Sequence, residues 1–418
     1  MSAAAATSAP ARSRRGRVLT ALAVFGPGLL AGLSDDDPAG ITTYSVLGAS
    51  YGYQLLWVLL VSTIALVVFH NLAARMGVVT GQGLIGLVRQ RYGVRPAAGG
   101  LLALVLANIG TTCAEFAGIA AGFELFGISR RVAVPATAIL VTGIVLRGSF
   151  HRVEHVLMAV AAVFVAYIAA GIRSGPHWGE ALTGLVVPTM PATRDAVLIA
   201  TATLGTTLAP WGLSFIQSYA VDKRLTVDDL RWERVDVVVG AVLTGVIGFF
   251  VVVACAATLY ERGIAIESAA DAARALQPLA GHIASRLFAT GLIGAALLAV
   301  AILPLSTAYS ICEFTGEEAA LDDAYPQART FYVSIIAVAA ISAAAVLVPG
   351  APLISILVLT QVLNAVLLLP LLAFMYGLAR DRDLMGEHAA TRRESAVYLV
   401  TIGLVSVSVV ATLAFTLL

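Results

Sequence analysis

The chain has 418 residues, of which 59% are hydrophobic and 12% charged, with a mean hydropathy of +0.91 and a formal net charge of +1. A soluble domain is nearer ~45–50% apolar even with glycine counted, so composition excludes a soluble protein and points to a chain that crosses a membrane many times. A net charge this close to neutral offers no electrostatic footprint for nucleic acid.

Residues 1–18, with Arg12, Arg14, Arg15 and Arg17, read as a disordered basic tail on the cytoplasmic side. The apolar run that follows is too long for a signal peptide and lacks a small-residue cleavage site. Residues 19–418 read as one transmembrane domain. A spanning helix needs about 20 mainly apolar residues, and that rule predicts eleven segments, at 19–48, 54–74, 97–126, 132–147, 152–172, 196–220, 236–259, 284–315, 329–348, 351–379 and 395–417. With the N-terminus inside, most of the 26 Lys and Arg fall on the cytoplasmic side, Arg75, Arg89, Arg91, Lys223, Arg224, Arg380 and Arg392 among them. That asymmetry is the expected positive-inside bias. The fold class is therefore an all-α membrane protein of about eleven transmembrane helices, multi-pass in the cell's cytoplasmic membrane, with its C-terminus outside.

Two segments carry the same kind of interruption. The first breaks at Ser34-Asp35-Asp36-Asp37-Pro38-Ala39-Gly40, the sixth at Gly205-Thr206-Thr207-Leu208-Ala209-Pro210-Trp211-Gly212. Proline removes a ladder hydrogen bond and clashes with the preceding turn, so each helix is expected to unwind near the membrane midplane. Segments one and six are corresponding members of two five-helix halves, about 19–172 and 196–379, with 395–417 as an extra helix. Paired broken helices in corresponding positions point to an inverted-repeat transporter whose site lies where the breaks meet.

A charged side chain at bilayer depth costs at least ~2.5 kcal/mol, so three consecutive aspartates must line a cavity, pair, or hold a cation. Successive helical residues point about 100° apart. Asp37, beside the unwound backbone, is thus the leading direct ligand, with Asp36 and Asp35 as further ligands or lining of the path. The sixth segment offers Thr206, Thr207, Trp211 and the bare carbonyls around Gly205, Ala209 and Gly212. Neither break contains Cys, Met or His, and oxygen ligands suit hard cations such as Mg²⁺, Mn²⁺ or Ca²⁺. Glu115 in the third segment is a functional candidate by its cost in the membrane, while Gln361 and Asn364 could reach the site or bond a neighbouring helix.

The remaining chemistry-bearing residues form no pattern. Cys113, Cys255 and Cys312 have no metal-finger spacing and read as small buried hydrophobes. The six histidines, His70 included, sit at segment ends or in loops, and none is expected to bind metal. There is no helical His pair with a glutamate, no phosphate-binding glycine loop and no Ser/His/Asp set, so neither an enzyme nor a bound cofactor is expected.

Several stretches resemble the Nramp family of divalent metal transporters. They are Gly26-Pro27-Gly28 ahead of Asp37-Pro38, Leu56-Trp57-Val58-Leu59-Leu60, Leu72-Ala73-Ala74-Arg75-Met76-Gly77-Val78-Val79-Thr80-Gly81, and Leu357-Val358-Leu359-Thr360-Gln361-Val362. The resemblance implies a leucine-transporter-like 5+5 inverted repeat working by alternating access. The chain departs from the family at its ligands. The family's Asp-Pro-Gly-Asn reads Asp37-Pro38-Ala39-Gly40 here, so the asparagine ligand is Gly40. Its Ala-Thr-Val-Met-Pro-His-Asn reads Thr206 to Gly212, which puts Ala209 for the methionine and Trp211 for the proton-linked histidine. In the third helix Thr112 replaces the proton-linked aspartate and Glu115 matches the glutamate. These changes are similar to those of the Nramp-related magnesium transporters, a branch implied to carry Mg²⁺ and Mn²⁺ with more water retained and without proton coupling. The resemblance thus implies a metal shell of Asp37, Gly40, Thr206, Ala209 and Asp36, with Asp35, Glu115, Thr207, Trp211 and Gln361 around it or along the path. Two alternatives stay open: a proton-coupled Mn²⁺ or Fe²⁺ transporter, and an organic-solute carrier on the same fold.

Overall fold

The computed structural model describes residues 31–32, 34–146, 166–267, 269–276, 281, 284–317 and 327–417. Every regular element among them is helical: α1 (Pro38–Tyr51), α2 (Leu56–Thr80), α3 (Leu84–Tyr92), α4 (Val94–Glu124), α5 (Arg130–Leu146), α6 (Ala166–Arg173), α7 (Trp178–Val186), α8 (Arg194–Thr207), α9 (Pro210–Asp222), α10 (Leu230–Thr258), α11 (Ala284–Thr315), α12 (Arg329–Val346), α13 (Leu353–Arg380) and α14 (Arg392–Leu417), with a few shorter turns between them. Among the described residues eight spans are long and apolar enough to cross a membrane: α2, α4, the α8–α9 pair, α10, α11, α12, α13 and α14. The basic tail, the first segment up to residue 30 and most of the fifth segment lie outside the described residues.

Boundaries differ from the sequence expectation where polar residues stay helical. The second segment, expected to end near residue 74, runs to Thr80, because Arg75 turns its head to Glu394 while its backbone continues the ladder. Gly81 then ends the helix in the left-handed region, at φ 63°, with its N–H on the Gly77 carbonyl. This is the usual glycine stop. The connections at 75–96 and 173–195 also fold, into α3 and α7.

The packing follows the predicted repeat. α10 lies on α1 and on α2, and α2 lies on α8 and α9; a shift of five segments turns the first of these contacts into the last. α4 packs against α11 and α13, and α13 against α8. Lipid is as apolar as leucine, so helices in a bilayer associate through close packing and hydrogen bonds. Gly77 supplies one such approach, since a side chain there would begin 2.5 Å from the Gln217 carbonyl of α9. Gly32 meets the backbone of Gly240 on α10 at the same distance. Large side chains such as Ile139 and Leu140 on α5 and Val400, Val407 and Val410 on α14 stay exposed, an apolar surface of the kind hydrocarbon covers.

At the bundle end predicted to face the cytoplasm, polar bonds join helices that are distant in sequence. Glu313 of α11 accepts from the Ser218 hydroxyl at 2.5 Å and from the Ile85 amide in the first turn of α3 at 3.1 Å. Arg89 donates to the Phe314 carbonyl at 2.7 Å, and the Tyr309 hydroxyl donates to Asp222 at 2.8 Å. Arg75 bridges Glu394 and the Tyr398 hydroxyl of α14 at 2.7 and 2.8 Å.

Close packing at Gly77 is open to test. Gly77→Val is expected to lower the melting temperature of the purified protein in detergent, by overpacking worth about 1–3 kcal/mol. Gly99→Val, on an exposed stretch of α4 with nothing within 4 Å, is expected to leave it unchanged.

Candidate metal site

Both breaks form as expected, and by the same device. The chain is helical through Asp35, leaves the helix at Asp36 and Asp37, and starts again with Pro38 as the first residue of α1. α8 ends at Thr207, Leu208 turns out of the helix, Ala209 is extended, and Pro210 starts α9. A proline loses nothing at the first position of a helix, because its missing N–H would have had no partner there. Asp37 is the cap of α1: its backbone is extended (φ −74°, ψ 170°) and its Oδ1 accepts the Gly40 amide at 2.6 Å. On the other strand of the site, the last carbonyls of α8 have no following turn to bond them.

The two breaks meet at Gly40. The point where a side chain on Gly40 would begin lies 3.3 Å from Asp37 Oδ1 and 3.4 Å from Thr206 Oγ1. It also lies 2.6 Å from the Asp35 carbonyl oxygen, so backbone already fills that space. The glycine is therefore less a vacancy than a close approach, and its amide serves to hold Asp37. The Tyr44 hydroxyl and Thr207 Oγ1 lie 2.9 Å apart and tie α1 to α8, while Thr207 itself donates to the Thr203 carbonyl.

Burial is nearly complete. Asp35, Asp36, Asp37, Thr206, Ala209, Trp211 and Glu115 are each no more than 3% exposed. Both carboxylate oxygens of Asp35, Asp36 and Glu115, and the Thr206 hydroxyl, lack a hydrogen-bond partner among the described residues. The Glu115 carboxyl group lies beside that of Asp37. Unpaired acceptors buried this deeply are costly unless a cation or water meets them. Among the described residues no three His, Cys, Asp or Glu side chains form a ready metal cluster. An ion held here would thus take few side-chain ligands and fill its shell with carbonyls, hydroxyls and water, the habit of Mg²⁺.

Other predicted residues sit around this centre. Trp211 packs its ring against Phe215, and its carbonyl accepts from Ser306 at 3.2 Å. Thr112 donates to the Asn108 carbonyl at 2.6 Å. Gln361 and Asn364 are buried and bonded to each other at 2.9 Å, and Asn364 donates to Thr111 of α4 at 2.8 Å, so the contacts present are those of helix bonding. The Gln361 carbonyl lies against Gly205, which brings α13 onto α8.

His70 is the residue sequence reading passed over. It seemed to close the second segment, but α2 runs ten residues further, and His70 lies in the body of the helix at 1% exposure. The signal was available: Gly77-Val78-Val79-Thr80-Gly81 continues the apolar run past Arg75 to a glycine stop.

Residues 28–416 match the family described as Nramp, natural resistance-associated macrophage protein-like. The chain is 29% identical over 402 residues to a protein of Aeromonas hydrophila subsp. hydrophila named divalent metal cation transporter MntH, covering 91% of each. To the protein of the same name from Chromohalobacter salexigens it is 30% identical over 294 residues, 66% of each. Among solved structures, the Eremococcus coleocola manganese transporter superposes with a TM-score of 0.74 at 19% identity, over 97% of this chain and 88% of that one. MhsT in complex with L-phenylalanine superposes at 0.57 and 15% identity, over 92% and 97%. Both likenesses show the fold, a leucine-transporter-like membrane bundle with broken first and sixth helices. With a family match that runs almost from end to end and broken helices that form as that fold requires, the chain belongs to the Nramp family.

Proposed function

We propose that this protein is a secondary transporter of hard divalent cations, Mg²⁺ with Mn²⁺ accepted, which carries the ion as substrate by alternating access and without proton coupling. The observation behind this reading is the convergence of two broken helices on Asp37 and Thr206, with buried, unpartnered oxygen acceptors among the described residues and no methionine in either break. The relatives, named as transporters of divalent metal or manganese, support the ion class. Mg²⁺ is favoured over a softer ion by Ala209 at the place where the family carries methionine, since hard oxygen ligands with retained water suit it.

In this reading Asp37 is the main ligand, held in place by the Gly40 amide. Thr206, Asp36 and the carbonyls at the end of α8, toward Ala209, complete the shell. Asp35, Glu115, Thr207, Trp211 and Gln361 shape the surroundings and the path. The repeats, about 19–172 and 196–379, would move against each other around the ion, with 395–417 as an accessory helix and residues 1–18 as a cytoplasmic tail. The protein would sit in the cytoplasmic membrane with its N-terminus on the cytoplasmic side and its C-terminus outside.

Absence of proton coupling rests on Thr112 and Trp211. Thr112 bonds its own helix, and neither side chain can carry a proton across the membrane. A second reading, a proton-coupled Mn²⁺ transporter, is favoured by the manganese named for the structural relative. Its proton would have to travel on other groups, Glu115 first among them.

Liposomes holding the purified protein and a Mg²⁺ dye are expected to fill with Mg²⁺, and Asp37→Ala is expected to reduce uptake to the level of empty liposomes. Undiminished uptake by that variant, or none by the native protein, would refute the assignment. A pH dye in the same liposomes is expected to stay constant during Mg²⁺ entry; acidification in proportion to the ion taken up would establish the proton-coupled reading instead.

A further inference from the structure

The centre described above uses only oxygen donors, yet a nitrogen donor lies next to it and nothing among the described residues engages it. His70 of α2 is 1% exposed, and neither Nδ1 nor Nε2 has a hydrogen-bond partner among the described residues. A buried imidazole ordinarily donates one N–H and accepts at the other nitrogen. Its surroundings show what it faces. The point where a side chain on Gly212 would begin is 3.0 Å from His70 Nε2 and 4.0 Å from Asp35 Oδ1. Asp35 is itself 1% exposed, with both carboxylate oxygens unpartnered.

The position therefore brings together an imidazole nitrogen and a carboxylate oxygen, from α2 and from the helical turn before the first break. They meet beside Gly212 in the first turn of α9. Gly212 has no side chain to separate them. Both Asp35 and Gly212 lie on the side of their breaks predicted to face the cytoplasm, whereas Asp37 and Thr206 lie at the junction itself.

We propose that His70 and Asp35 form a second divalent-cation position, adjacent to the Asp37 position on its cytoplasmic side, which an ion occupies on its way through the protein. This rests on the reading of the protein as a divalent-cation transporter. Two protein ligands leave the rest of the shell to water, so the ion arrives and departs largely hydrated. Imidazole is a ligand of transition metals and not of the oxygen set that suits Mg²⁺, and of the two ions only Mn²⁺ is a transition metal. The second position thus favours Mn²⁺, while the all-oxygen centre at Asp37 takes either ion. Cation selectivity would then be divided between two steps of one path.

Pulsed electron paramagnetic resonance on the purified full-length protein loaded with Mn²⁺ tests this directly, because an imidazole ligand couples its nitrogen to the bound ion. Nitrogen coupling is expected in the native protein and in Asp37→Ala, and is expected to be lost in His70→Gln. It is expected to persist in His177→Gln and His388→Gln, which remove imidazoles outside the bundle core. Gly212→Ala keeps the imidazole but places a methyl group 3.0 Å from Nε2, and is expected to weaken the coupling. Bound Mn²⁺ without nitrogen coupling in the native protein, or coupling unchanged in His70→Gln, overturns the second position and leaves the Asp37 centre standing. Failure of the native protein to bind Mn²⁺ at all overturns both.

Discussion

A carboxylate in the middle of a bilayer must be met by something positive or by water. This chain places three in succession at that depth, with Glu115 beside them. Nearly every feature of the centre follows from that constraint. The helix has to open, because an intact turn would point the three aspartates in different directions, some of them toward apolar neighbours. Opening is achieved by proline at the start of each new half-helix, where its missing N–H costs nothing. The freed backbone is then taken up within the protein: the Gly40 amide bonds Asp37, and the Thr206 hydroxyl in the last turn of α8 lies against Gly40. Irregular backbone at membrane depth survives only when it is buried in protein or lines a cavity, and here it is buried.

The surrounding bundle serves this arrangement by close contact. Glycines let α2 approach α9, let α10 approach the first segment, and let α13 approach α8 at Gly205. Hydroxyl bonds lock the approach, Tyr44 to Thr207 between α1 and α8 and Asn364 to Thr111 between α13 and α4. At the end predicted to be cytoplasmic the bonds are of another kind. Glu313, Arg89 and Arg75 join helix ends across long stretches of sequence through partly buried bonds.

In the proposed reading, the departures from the family pattern around the second break belong together. Ala209 stands where the resemblance places a methionine, Trp211 where it places a histidine, and Gly212 leaves a gap beside it. An imidazole then enters that gap from α2, as His70. Gly40, read from sequence alone, suggests an emptied ligand position. In the structure the Asp35 carbonyl occupies the space, so the first break is wound more tightly than the loss of a side chain implies.

Much of this was legible in the residues themselves. Hydropathy marked the spans, since about 20 apolar residues in a row have few other uses. Asp37-Pro38 and Ala209-Pro210 marked the breaks, because proline removes a ladder hydrogen bond and the aspartates before Pro38 cannot face lipid. Those are local rules, and they act on neighbours in sequence. Helix ends that carry charge were harder: Arg75 looked like a boundary, yet its side chain reaches Glu394 and Tyr398 on a helix more than three hundred residues away. Only the folded bundle shows that partner, and the misplaced boundary hid His70. The meeting of Asp37 with Thr206, the backbone that fills the space at Gly40, and the imidazole beside Asp35 are likewise contacts between distant segments. Their geometry depends on how closely glycines let helices pack, a property of pairs of helices that no single segment carries.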